Sequence, residues 1–160
     1  METGTYVPSL QRVDLLFVTR NVVGMLANLA RSREVTVAVA AESAEGVFAR
    51  ADAVLYQTLC ANLLKNAIEA STAGQTVTVR LSANGQVHPA VHNPGAVEPS
   101  IRPVFFEKYA TFGKADGIGL GTYSARLMTE CQGGNIRLDS SATDGTTVTV
   151  TLSGPGVPAV

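Results

Sequence analysis

The chain has 160 residues and carries 12 Lys and Arg against 13 Asp and Glu, a formal net charge of −1. That length suits one domain with a full core, and the lack of a basic excess argues against broad binding to nucleic acid or anionic membranes. No apolar run approaches the ~18 residues of a membrane span, no signal peptide is visible, and Cys60 and Cys131 match no zinc or redox spacing, all of which fits a reducing cytoplasm.

Residues 1–11 read as a flexible leader, with Pro8 and no hydrophobic period. Val13 fits a short edge strand. Asp14 is placed to cap a helix reaching about Arg31, with Leu15, Val18, Val22, Met25, Leu26 and Leu29 on one face. Val35 to Ala40 alternates β-branched and small residues and predicts a strand; Val47 to Ala49 fits a short partner strand.

Asp52 to Ser71 predicts the helix around which the chain is organised. Asp52 can accept from the unpaired amides of the first turn, and Gly74 lies just past the end. At about 100° per residue, Leu55, Asn66, Leu59, Leu63, Tyr56 and Ala67 share one arc. Asn62 lies at its margin, about 40° from Asn66 and one turn away. An unpaired buried amide costs about 1–3 kcal/mol, so both amides need partners. Asn66 either caps a loop across the core or, with Asn62, faces a cavity holding a metal ion and a polar ligand. Cys60 falls on the apolar side of the helix and reads as core.

Thr76 to Leu81 and Gln86 to Asn93 flank Asn84-Gly85, a strong hairpin signal, with Pro89 expected to make the second strand locally irregular. His88 and His92 share a strand face but stand about 13 Å apart, too far to share a metal. Residues 94–117 show no clean period; a loop this long in a compact domain is usually functional or mobile. Within it, Ile101 to Tyr109 has the apolar anchors for a short helical piece. Gly119 to Gln132 predicts a third helix ended by Gly133-Gly134. Asn135 to Ser140 and Thr146 to Leu152 predict two strands around Asp144-Gly145, before a frayed tail over residues 153–160. Antiparallel hairpins exclude a doubly wound nucleotide fold; helices on one face of a mixed sheet, an α+β sandwich, fit instead.

Several pieces could carry chemistry. Gly117, Gly119 and Gly121 would let backbone amides approach a ligand at a helix N-terminus, although the spacing is neither that of a Rossmann nor of a Walker loop. Asn93-Pro94-Gly95 makes a turn or the wall of a site. Lys108 and Lys114 could reach phosphates or merely solvate the loop.

Taken in order, these runs resemble one family. Asn62-Leu63-Leu64-Lys65-Asn66-Ala67 is similar to the N box of the histidine-kinase ATP-binding domain, and Asn93-Pro94-Gly95 stands where its first glycine box stands. Phe105-Phe106-Glu107-Lys108-Tyr109 resembles its F box, Gly117-Ile118-Gly119-Leu120-Gly121 its second glycine box, and Asp144-Gly145-Thr146-Thr147 its closing turn. The resemblance spans about Pro8 to Leu152 and implies a Bergerat sandwich, a mixed sheet covered on one face by about three helices, in a single domain over residues 1–160.

The resemblance implies catalytic roles for Asn62 and Lys108. It implies nucleotide binding by Asn62, Lys65, Asn66, Asn93, Gly95, Lys114, Gly117, Gly119, Leu120, Gly121 and Thr146, with residues 94–117 as an ATP lid. Asn66 would ligate Mg²⁺, which suits a cation that keeps several waters. The γ-phosphate of ATP would pass to a histidine on a separate dimerisation and phosphoacceptor domain, with a response regulator downstream. Neither His88 nor His92 is followed by an acidic residue on a helix, so this chain carries no acceptor motif; Met1 is expected to open a fragment, a monomer when isolated. Neither nucleic acid nor direct membrane contact is expected. Two departures stand out. The family usually has Asp where this chain has Asn93, and no second glycine follows Gly95, where Ala96 and Val97 stand. The alternatives are a docking module that only binds nucleotide and an ATPase like those of gyrase or mismatch repair. The latter use a Glu where this chain has Asn62, an amide that cannot take a proton at neutral pH.

Overall fold

The computed structural model describes residues 6–108 and 121–156. Strand β1 (Gln11–Asp14) leads directly into helix α1 (Leu15–Met25). Asp14 Oδ1 accepts from Leu16 N at 3.1 Å and Phe17 N at 3.4 Å, so the predicted cap forms. The helix does not run unbroken to Arg31. It loosens at Leu26, two residues after Gly24, and resumes as α2 (Ala27–Ser32). Glycine weakens a helix interior, and no neighbour lies where a Cβ on Gly24 would stand.

Strand β2 (Thr36–Ala41) follows, then β3 (Phe48–Ala51), helix α3 (Ala53–Glu69), and the hairpin of β4 (Thr76–Ala83) and β5 (Gln86–Asn93). A single 3₁₀ turn covers Arg102–Val104. Helix α4 (Gly121–Cys131) and the hairpin of β6 (Asn135–Ser141) and β7 (Gly145–Ser153) complete the fold. The main sheet has the order β2-β4-β5-β7-β6, parallel between β2 and β4 and antiparallel elsewhere. Strand β3 pairs not with β2 but with β1, in a separate antiparallel ribbon.

One face of the main sheet carries Val77, Val79, Leu81, Val87, Val91, Val148, Val150 and Leu152, all buried. Against it lie α1, α3 and α4, with Leu15, Leu59, Leu64, Ile68 and Ala125 inside. Each large aliphatic side chain so buried contributes roughly 1.5–3 kcal/mol. The other face holds Thr78, Arg80, His88, His92, Thr147 and Arg137, polar or cationic and partly or fully exposed, as the period-two alternation requires.

Two expectations are corrected here. Pro89 does not disturb β5 as a whole: it pairs in register with Leu81 of β4. The disturbance falls on the other neighbour, where pairing with β7 lapses at His88 and Pro89 and resumes at Ala90. That is where a missing N–H is felt. The leader is held from Tyr6 onward. The Tyr6 hydroxyl donates to Asp52 Oδ2 at 2.8 Å, Ser9 N donates to the same oxygen at 2.9 Å, and Gln11 pairs with Ala51. At the other end, Ser153 closes β7 and Gly154 packs so tightly on the Gly85 carbonyl that a Cβ would lie 2.4 Å from it.

Candidate functional site

Helix α3 begins on Asp52, whose Oδ1 accepts from Val54 N and Leu55 N, both at 3.0 Å. Burial works against its charge. The amides of Leu55, Ser9 and Val54 and the Tyr6 hydroxyl outweigh it and hold the carboxyl below the usual range. In the first turn of the helix Tyr56 shares a 2.8 Å hydrogen bond with Thr19. Burial raises the Tyr56 hydroxyl well above its ordinary value and pushes the Cys60 thiol up to about 11, despite hydrogen bonds to Thr19 and Tyr56 that pull the thiol down. These groups are core, and Cys60 is no ligand.

The C-terminal half of α3 differs. Leu63, Leu64, Ala67 and Ile68 are buried, while Asn62 and Asn66 are only half-buried at the edge of that apolar surface. Lys65 is exposed and pairs with Glu69 at 3.7 Å, one turn on along the helix. The amides thus sit at a boundary, where side-chain oxygens can face a ligand without leaving the helix.

Strand β5 delivers Asn93 to the same corner. It is 5% exposed and points to the helix side, in phase with Val87 and Val91. Its Nδ2 reaches the Gly95 carbonyl only at 3.4 Å. Gly95 lies against the end of α3: a Cβ there would stand 3.5 Å from the Ala70 carbonyl. Ala70 is one turn beyond Asn66 on the same helix line. Asn93 and Gly95 thus lie beside the C-terminal end of α3, the helix that carries Asn66 one turn earlier.

Thr146 pairs across the sheet with Asn93. Its hydroxyl donates to the Gly95 carbonyl at 2.7 Å and lies 2.9 Å from Ser140 Oγ, which in turn accepts from Val97 N at 2.9 Å. Gly145 is obligatory for this closure: φ is +77°, and a Cβ would meet the Asn93 carbonyl at 2.4 Å. Thr146 thus shapes the wall as much as it could hold a base. Ser140 was missed from sequence, because a serine in a β-rich run carries no signal until its strand neighbours are known.

The opposite wall is α4. Gly121 opens it, exposed. Thr122 is buried and donates from Oγ1 to the Phe105 carbonyl at 2.7 Å. Phe105 and Phe106 meet edge to face at 5.0 Å, so the predicted anchor forms. Lys108 is exposed, with Nζ 5.3 Å from the centre of the Tyr123 ring. Lys114, Gly117, Gly119 and Leu120 lie outside the described residues.

Among the described residues no group of three His, Cys, Asp or Glu could hold a metal ion. A cation here would take amide and ligand oxygens, which fits Mg²⁺, a metal that keeps several waters and is commonly held by one or two protein oxygens plus phosphates. Two surface hollows, of about 240 and 270 Å³, lie over the open face of the sheet and over the β6–β7 turn. Neither is lined by Asn62, Asn66 or Asn93.

A mixed sheet backed by helices, with the end of α3 beside Gly95 and α4 packed on α3, defines an α+β sandwich. Residues 51–155 match the family described as histidine kinase-, DNA gyrase B-, and HSP90-like ATPase, and the chain belongs to that family. It is 30% identical over 162 residues to the C4-dicarboxylate transport sensor protein DctS of Rhodobacter capsulatus, an alignment covering 95% of this chain and 24% of that protein. The chain thus spans about a quarter of that relative. A mycobacterial sensor histidine kinase, MprB, superposes with a TM-score of 0.76 at 24% identity, over 93% of this chain and 100% of that one. Full-length ShkA, solved in complex with AMPPNP, superposes with a TM-score of 0.81 at 24% identity, over 98% of this chain and 33% of that one. At these identities the structures support the fold. Among the described residues no helix is long and apolar enough to cross a membrane.

Proposed function

We propose that this chain is the ATP-binding catalytic domain of a sensor histidine kinase. It presents the γ-phosphate of Mg-ATP to a histidine on a separate dimerisation and phosphoacceptor domain, from which the phosphoryl group would pass to a response regulator. The observation that carries this reading is the polar corner: Asn66 half-buried at the apolar boundary of α3, one turn before Ala70, whose carbonyl lies against Gly95 at the strand end that bears Asn93.

Phosphoryl transfer asks a protein mainly for positioning and charge neutralisation. Asn93, with one acceptor and one donor on its side chain, orients the base. Thr146 and Ser140 hold the wall around it by fixing Gly95 and Val97. Asn62 lines the phosphate path as a neutral amide, which neither takes the proton of a water nor activates one, so hydrolysis is disfavoured relative to transfer. Lys108 supplies a cation beside the terminal phosphate. Asn66 would hold Mg²⁺ through its amide oxygen, and the bound ion would neutralise phosphate charge. The fit to this chain is the half-buried amide, with no competing carboxylate cluster among the described residues.

The test is nucleotide titration with and without Mg²⁺, followed by phosphotransfer to an added acceptor domain. Binding with transfer supports the kinase reading. Binding without transfer would favour a docking module, and rapid hydrolysis without acceptor would favour a gyrase-like ATPase.

A further inference from the structure

The sheet face turned away from the helices bears a hollow of about 240 Å³ lined by Thr78, Arg80, Ala90, His92 and Thr147. The strand register builds it. Thr78 of β4, His92 of β5 and Thr147 of β7 stand side by side in one row, and Arg80 and Ala90 pair in the next. Ala90 offers only a methyl group and forms a floor among taller neighbours. Side chains diagonal to each other across two strands lie roughly 7–8 Å apart, so a long Arg side chain and two hydroxyls can converge above that floor.

The groups around the floor are donors. Arg80 is exposed, and its guanidinium makes no ion pair or hydrogen bond to any described residue. The hydroxyls of Thr78 and Thr147 are likewise without a partner among the described residues. His92 Nε2 lies 2.8 Å from the Asp144 carbonyl, which only accepts, so that nitrogen carries the proton and the ring is held as a wall. No carboxylate lines the hollow. Asp139, across from Thr147 on the same face, is answered by Arg137 at 3.0 Å. Asp144 borders the separate hollow over the β6–β7 turn.

A guanidinium fork with no competing acid suits an oxyanion. A planar carboxylate is satisfied by the fork alone. Donors on β4 and β7, either side of a floor on β5, suit a tetrahedral group whose oxygens leave that plane. We propose that this hollow is a site for a phosphate group, free or esterified to a small molecule, with Arg80 as its charged anchor and Thr78 and Thr147 as flanking donors. It lies on the opposite face of the sheet from Asn93 and is distinct from the nucleotide corner.

The experiment uses the whole chain. His88 and His92 are its only two histidines, so their ring signals are read directly by NMR. His88, held by Asn84 and Thr151, is the internal control. Inorganic phosphate, glycerol 3-phosphate and acetate are each titrated at constant ionic strength, balanced with chloride. Phosphate should move the His92 signals saturably and leave those of His88 in place. Arg80→Met should weaken binding roughly tenfold or more, as loss of a charge-assisted contact implies. Ala90→Leu should weaken it comparably, because it fills the floor while keeping every charge. Binding of glycerol 3-phosphate as tight as that of phosphate assigns an esterified ligand; binding of inorganic phosphate alone assigns the free ion. Acetate bound as tightly as phosphate, equal movement of both histidines, or undiminished binding in Ala90→Leu would overturn the proposal. Should Ala90→Leu not fold, Arg80→Met decides, and unchanged affinity in that variant overturns it.

Discussion

Replacing Asn93 by Asp tests the base-reading role at a single atom. Asn93 is 5% exposed, and its Nδ2 faces the Gly95 carbonyl at 3.4 Å, a contact already at the long limit. In Asn93→Asp that donor becomes an acceptor facing another acceptor, inside a pocket closed by Gly145 and Thr146. A buried polar group left without its partner costs about 1–3 kcal/mol, so the empty variant should lose about that much stability in urea unfolding. With nucleotide the sign reverses. A carboxylate accepts from the amino group of adenine and repels the carbonyl oxygen that guanine places there, whereas Asn can flip and serve either base. One well-placed base contact is worth about 1–3 kcal/mol of discrimination by analogy with groove readout, or roughly 5- to 150-fold. The parent should therefore prefer ATP over GTP mildly, and Asn93→Asp should sharpen the ratio within that range. Competition of both nucleotides against one fluorescent analogue measures it. A ratio already steep in the parent and unmoved in the variant would show that Asn93 does not read the base.

Other outcomes follow from the same geometry. Asn66→Ala should abolish most of the Mg²⁺ enhancement of ATP affinity while the domain stays folded, read by titration with and without the metal. Gly145→Ala should cost at least about 1–2 kcal/mol for the left-handed backbone alone, with more from the Asn93 carbonyl 2.4 Å from the new Cβ, and should weaken nucleotide binding because that strand end moves. Asp52 has a lowered carboxyl pKa, so its stabilisation is present above the ordinary carboxylate range and is lost as pH falls through the folded value. Thermal melts of Asp52→Asn should show a flatter acid limb below about pH 4, where the parent weakens. Cys60, buried and pushed to about 11, should resist alkylation at neutral pH in the folded chain, while Cys131, only partly buried, reacts first; peptide mapping distinguishes them.

Much of the fold was legible because its signals are local. Asp14 and Asp52 cap their helices through amides two and three residues away, Asn84-Gly85 turns a hairpin with Gly85 at φ +94°, and Asn66 stands out because the residues sharing its arc are apolar. Each of these depends on a few neighbours along the chain, whose geometry the residue types dictate. Only the tertiary structure could decide which strands pair beyond the two hairpins. The β1–β3 ribbon and the parallel β2–β4 contact join segments dozens of residues apart, and many pairings satisfy the same alternation. The same holds for the absorption of Pro89 on the β7 side, the tie from Tyr6 and Ser9 to Asp52, and the Val97–Ser140–Thr146–Gly95 relay. Ser140, Thr122 and Tyr123 are ordinary residues until folding sets an amide, a carbonyl or a cation beside them. What they do is a property of the partner they meet, and that partner is fixed by packing at long range rather than by the residues next to them.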